Sequence, residues 1–137
     1  MKDILDTLAE SPSHSTIFAL LQKTDLATVL KGPGSFTLFA PDDDAFQRIN
    51  LDNVVSDLGS LASLLDYHVV EEKLSAAEIA RKLELPTRSG KALTVQLEEG
   101  QQEIDNARYV TTDIACSNGV IHSINNVFLP NFSGWYE

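Results

Sequence analysis

The sequence predicts an α+β fold, and three observations carry that prediction. Apolar residues recur at helical spacing through the first third and the middle of the 137-residue chain. From Leu83 onward the repeat shortens towards two, the period of a half-buried strand. Helices therefore come mainly first and strands mainly later, which argues against an alternating parallel sheet. The length suits one domain with a real core, and 43% hydrophobic with 22% charged residues is ordinary for a folded protein. The expected unit spans residues 1–137, with its core at about 3–130 and a tail at 131–137.

Asp3 to Glu10 reads as a short helix capped by Asp3, with Ile4, Leu5 and Leu8 on one face. Ser11-Pro12-Ser13 breaks it. Thr16 to Lys23 is the next helix, with Ile17, Leu20 and Leu21 inward and Ser13 or Ser15 as its cap. Leu26, Val29 and Leu30 continue into a third short turn or helix, which Lys31-Gly32-Pro33-Gly34 ends. Ser35 to Ala40 is the first clear strand, by its aromatic and β-branched content.

Pro41 then opens a helix whose first turn holds Asp42, Asp43 and Asp44, where exposed N–H groups favour negative charge. The acids also fit a calcium site in charge. No glycine-bearing loop of the required pattern follows, so capping is the favoured reading. Leu51 to Leu58 reads as a short irregular helix interrupted by Gly59, and Ser60 to Asp66 as a better-defined one. Tyr67-His68-Val69-Val70 follows as a strand. Ser75-Ala76-Ala77-Glu78 has the capping-box pattern and starts a helix to about Lys82.

Leu93, Val95 and Leu97 alternate with Ala92, Thr94 and Gln96 as a half-buried strand, and Ser89-Gly90 is a turn. Glu98 to Gln101 is a hairpin-like connection, Glu103 to Asp105 a return strand, and Ala107 to Ile114 a further strand. Asn118-Gly119 is a turn dipeptide, read as tolerating positive φ. Val120-Ile121 begins an extended run, and Asn125-Asn126 is a second turn. Val127-Phe128-Leu129 is a short buried strand stopped by Pro130.

The net charge of −10 disfavours contact with nucleic-acid phosphates and with anionic membranes. Cys116 is the lone cysteine, so neither an intramolecular disulfide nor a cysteine zinc cluster is available. No stretch is long enough and apolar enough to span a membrane, and the first residues do not read as a signal peptide. The chain is then either cytoplasmic or an exported product whose signal has been trimmed. No phosphate loop, nucleophile elbow or zinc motif is present.

Three segments in order resemble the fasciclin domain family. They are Phe36-Thr37-Leu38-Phe39-Ala40-Pro41-Asp42-Asp43-Asp44-Ala45-Phe46, the central Tyr67-His68-Val69-Val70, and Asn118 through Pro130. Two positions depart from the family pattern: Asp42 stands at a usual Thr, and Asn125 at a usual Asp. The resemblance implies a β-sandwich or wedge of two sheets with an N-terminal and central helical layer. It implies a monomeric, non-catalytic adhesion module without cofactor or metal, secreted or at a cell surface, binding a protein or matrix partner. In animal relatives a Tyr-His segment and an Asp-Ile pair are linked to receptor recognition. The matching positions are Tyr67, His68, Asp113 and Ile114.

Each candidate also has a plain structural reading. Tyr67 and His68 sit among apolar neighbours and suit core packing. Asp113 suits a solvated neighbour of an inward Ile114. His122 in an apolar strand suits a hydrogen-bonded structural histidine, and Cys116 a small buried residue. A carbohydrate or small-ligand site would call for an apolar pocket bordered by Tyr67, His68 or His122. An enzyme would call for Cys116 and His122 side by side and accessible; neither His14 nor His68 has ligand-like spacing to His122.

Overall fold

The computed structural model describes residues 3–24, 26–32, 35–47, 58–82, 84–88, 92–98, 101–104 and 107–127. The turn at Ser89-Gly90, Pro130 and the tail lie outside them, as do the helix expected at Leu51 to Leu58 apart from Leu58, the centre of the connection expected at Glu98 to Gln101, and the strand expected at Val127 to Leu129 apart from Val127.

Three short helices open the fold: α1 (Ile4–Ala9), α2 (Ser15–Gln22) and α3 (Leu26–Lys31). Asp3 caps α1, its carboxylate accepting the Asp6 N–H at 2.8 Å. The cap of α2 is neither Ser13 nor Ser15. The N-cap position is His14, which makes no side-chain cap bond. Asp43 reaches across instead, accepting the Thr16 N–H at 2.8 Å and the Ser15 hydroxyl at 2.9 Å. A charged acceptor from another segment satisfies the orphan donor better than a local hydroxyl. The acidic run is thus divided: Asp42 caps its own helix α4 (Asp43–Gln47) through the Ala45 N–H, and Asp43 caps α2.

Strand β1 (Phe36–Pro41) precedes α4. Helix α5 (Leu58–Asp66) contains Gly59 in its first turn, so the glycine does not interrupt it. Tyr67 and His68 form the turn after α5, and only Val69–Val70 make strand β2. The expected capping box is present at α6 (Ala76–Ile79), although that helix stops well short of Lys82. Strands β3 (Glu84–Pro86), β4 (Ala92–Glu98), β5 (Gln101–Ile104), β6 (Ala107–Cys116) and β7 (Gly119–Ile124) complete the order.

The strands pair in the order β2-β1-β7-β6-β5-β4-β3. All described pairs are antiparallel except β1 with β7. The sheets of the expected wedge are continuous through β6, whose first residues pair with β5 and whose remainder pairs with β7. Every residue of β1 and β7 is buried, as strands covered on both faces must be. On one face Phe36, Leu38, Ala40 and Ile121 meet the helices α1 to α5. On the other, Phe39 and Ile124 meet Leu74, Ile79, Leu85, Leu93, Val95 and Ile104.

The turn at Ser117-Asn118 ties these layers together. Asn118 is buried; its Oδ1 accepts the Ile4 N–H at 3.1 Å, and its Nδ2 donates to the Leu30 and Gly32 carbonyls. One amide therefore satisfies an orphan donor at the start of α1 and orphan acceptors at the end of α3. Asn118→Ala should lower stability by about 2 kcal/mol or more, since it strands buried backbone groups. Urea unfolding of the variant checks this; a midpoint equal to wild type would refute the bridging role.

Candidate functional site

The site is built on β1, whose buried Thr37 is its anchor. The Thr37 hydroxyl donates to the Glu72 carbonyl at 2.6 Å and accepts the Leu74 N–H at 2.8 Å. This pair of hydrogen bonds pins the segment before α6 over the sheet and sinks Leu74 into the core. The Leu74 carbonyl then accepts from His122 Nε2 at 2.8 Å. With its proton on Nε2, the ring presents a lone pair at Nδ1, which accepts the Asp113 N–H at 3.1 Å. His122 also stacks obliquely between Phe39 and Tyr109, at centroid distances of 5.7 and 5.4 Å. Burial pushes its pKa below the ordinary histidine value, against the pull of the Leu74 carbonyl and Asp113.

Asp113 is the focus of strain. Its φ of 57° is positive, unlike that of any other non-glycine among the described residues. Asp tolerates that region better than most side chains, yet it remains uncommon. Asp113 lies inside the second of two register shifts in β6, the first between Tyr109 and Thr111 and the second between Thr111 and Ile114. Each adds one residue to β6, and such bulges re-aim side chains. The result separates the pair: Asp113 is exposed, and Ile114 packs half-buried against the helical core. The Asp113 carboxylate accepts the Ala76 N–H at 2.9 Å, joining β6 to the first residue of α6. Ser75 and Glu78 complete that end, Ser75 Oγ accepting the Glu78 N–H and Glu78 Oε1 the Ser75 N–H.

Between these parts lies an open pocket of about 280 Å³ lined by Lys73, Ser75, Glu78, Asp113, Ala115 and Val120. It is bordered by none of Tyr67, His68 and His122, the residues that a small-ligand site was expected to use. Sequence reading singled out Asp113 and the capping box separately. Nothing in local spacing signals that Lys73, Ala115 and Val120 join them, because the bulge in β6 makes the junction.

The other candidates lie inside. Tyr67 is 6% and His68 1% exposed. The Tyr67 hydroxyl reaches the Ala92 carbonyl, and His68 Nδ1 donates to the Leu64 carbonyl at 2.8 Å. Burial drives the His68 pKa down to about 4. His14 is a further buried histidine, with Nδ1 2.6 Å from Ser11 Oγ and Nε2 2.8 Å from Ser123 Oγ.

Cys116 and His122 do not come together as an enzyme would need. Cys116 belongs to the helical core, its Sγ 3.5 Å from Thr7 Oγ1, and burial raises its thiol pKa. His122 packs on the side of Phe39 and Tyr109, with both ring nitrogens hydrogen-bonded. A buried, protonated thiol is a poor nucleophile. Among the described residues no group of three or more His, Cys, Asp or Glu side chains is placed to hold a metal ion, and no helix is long and apolar enough to cross a membrane.

Known proteins share this architecture. The family model described as the fasciclin domain matches residues 12–130. Protein sll1483 of Synechocystis sp. is 36% identical over 132 residues, covering 93% of this chain and 73% of that protein. The transforming growth factor-beta-induced protein ig-h3 of Sus scrofa is 30% identical over 133 residues, 95% of this chain but 20% of that much longer protein. Among solved structures, a FAS1 domain pair from the insect cell adhesion molecule fasciclin I superposes with a TM-score of 0.78 at 23% identity. The match covers 96% of this chain and 52% of that one.

Proposed function

The chain belongs to the fasciclin domain family, and on that premise we propose that it is a non-catalytic interaction module meeting a protein or extracellular-matrix partner through the face around Asp113. The observation that carries this reading is Asp113 itself. A strained backbone is kept only where the surroundings over-determine it, and such strain concentrates at functional positions. Here the Ala76 N–H and His122 hold the bulge while the carboxylate stays exposed. The reading is supported by the fold likeness to an insect cell adhesion molecule, and under it the protein acts in secreted form or at the cell surface. Ile114 sets the bulge from beneath, and Tyr67 and His68 act as positioning residues.

The test uses Asp113→Asn, which removes the charge yet keeps an oxygen for Ala76 and tolerates positive φ. Attachment of cells or matrix protein to the immobilised variant should weaken about tenfold, the loss expected for a contact worth about 1.4 kcal/mol. The unfolding midpoint should stay near wild type. Unchanged attachment would reject Asp113 as the contact.

A further inference from the structure

We propose that the pocket between α6 and the β6–β7 hairpin receives an aliphatic side chain of a partner peptide whose flanking residues are Lys or Arg. The proposal rests on the reading of the chain as an interaction module and assigns that module a ligand chemistry.

Size is the first argument. At about 280 Å³ the pocket lies just under the range of roughly 300–1,000 Å³ typical of sites that enclose whole small molecules. It suits one side chain entering from a larger partner. The floor is the second. Ala115 and Val120 are directly opposed across β6 and β7, so their side chains share one face of the sheet. Ala115 is exposed, although it sits beside a buried valine. An apolar floor of this kind is satisfied by an aliphatic group and gives a sugar hydroxyl little to bond.

The rim gives the charge preference. Glu78 and Asp113 line it together with Lys73, and Arg81 and Lys82 also lie within electrostatic reach of Glu78. Both carboxylates already face α6: Glu78 Oε1 takes the Ser75 N–H, and Asp113 Oδ1 takes the Ala76 N–H. Among the described residues neither forms an ion pair, and each keeps a second oxygen with no bond to a described residue. They are thus held in place by backbone donors with acceptor capacity to spare. A basic residue next to the inserted side chain would complete them. The whole-chain charge of −10 favours the same partner sign. The arrangement does not depend on induced movement, because the capping box, the Thr37 anchor and the His122 bond hold the rim.

The test is titration of the full chain, observed by methyl and amide NMR, with a blocked pentapeptide carrying Leu between two Arg residues. Two control peptides replace the Leu by Ser or the Arg pair by Glu. The Ala115 and Val120 methyl signals should shift and saturate, and both controls should bind at least tenfold more weakly. Ala115→Phe, which fills the pocket from an exposed position, should abolish the shifts. Glu78→Gln keeps a capping side chain and should narrow the preference for Arg over neutral flanks several-fold. Shifts centred elsewhere, equal binding of all three peptides, or no binding at millimolar peptide would overturn the proposal. Cell attachment separates it from the broader reading. Peptide binding with attachment indifferent to Ala115→Phe keeps the pocket and sinks its adhesive role. Attachment lost in Asp113→Asn without peptide binding rejects the pocket chemistry alone.

Discussion

Gly119→Ala is expected to yield a chain that does not reach the native fold. A Cβ built at this position lies 2.0 Å from the Phe36 carbonyl oxygen and 2.9 Å from its carbon, with the Ile4 side chain at 3.0 Å. The first two obstacles are backbone, so no rotamer change relieves them. The backbone cannot retreat cheaply either. Gly119 is paired with Phe36 at the start of the parallel β1–β7 ladder, and the Phe36 N–H donates to the Asn118 carbonyl at 3.1 Å. Both strands are buried on both faces, so a shift would disturb the helical core and the second core together. The expected loss exceeds about 4 kcal/mol, a size reached only by steric or buried-polar failures of this kind. Gly32 supplies the control. Among the described residues its added Cβ would meet only the Val29 and Thr28 carbonyl oxygens, at 3.5 and 3.8 Å, so Gly32→Ala should lie close to wild type. Circular dichroism and urea unfolding of the two variants decide the matter. A Gly119→Ala protein with a native spectrum and an unfolding midpoint near that of Gly32→Ala would show the approach of the strands to be adjustable.

The same glycine shows where sequence reading stops. Asn118-Gly119 was legible as a turn, but the reason attached to it was positive φ, and neither residue lies in that region. The requirement is space for Phe36, a residue far away in the chain. Interactions closed within a few residues were readable: the Asp3 cap, the Ser75–Glu78 box, and the alternation of Leu93 and Val95. So were β1 and β7, because a strand covered on both faces writes a continuous apolar run into the chain. Interactions that depend on which segments meet were not readable. Asn118 bonds to Ile4 across 114 positions, and Asp43 caps α2 across 27. Each looks locally like an ordinary turn or first-turn residue. The site divides in the same way. Asp113 stood out by resemblance, whereas its positive φ and its neighbours Lys73 and Ala115 follow from two extra residues in β6 that no local pattern announces.

Mild acid should destabilise the protein. The histidines are the cause, and the sign follows from their burial. His68 is held neutral, with its pKa driven from 6.5 to about 4 by desolvation, opposed only by its bond to the Leu64 carbonyl. Below pH 6.5 the unfolded chain takes up this proton and the folded one does not, so stability is complete above that value and falls as the pH drops towards 4. The displacement corresponds to about 3 kcal/mol for this residue alone. His14 and His122 are lowered in the same direction by burial, although Asp42 and Asp43 beside the first and Asp113 beside the second moderate the effect. Urea midpoints at pH 7.5 and 4.5 should therefore differ by several kcal/mol in stability, and a flat profile over that interval would contradict the burial of His68. The effect should also reach the site. A proton added to His122 must go to Nδ1, since Nε2 already donates to the Leu74 carbonyl. Nδ1 is the acceptor for the Asp113 N–H, so protonation turns that bond into a clash of two donors. The strained residue then loses one of its two restraints, with only Ala76 left to hold it. In NMR titrations the Asp113 amide should move with the midpoint of the His122 ring, and partner binding should weaken over the same range. An Asp113 amide indifferent to the His122 titration would mean that the bulge stands without the histidine.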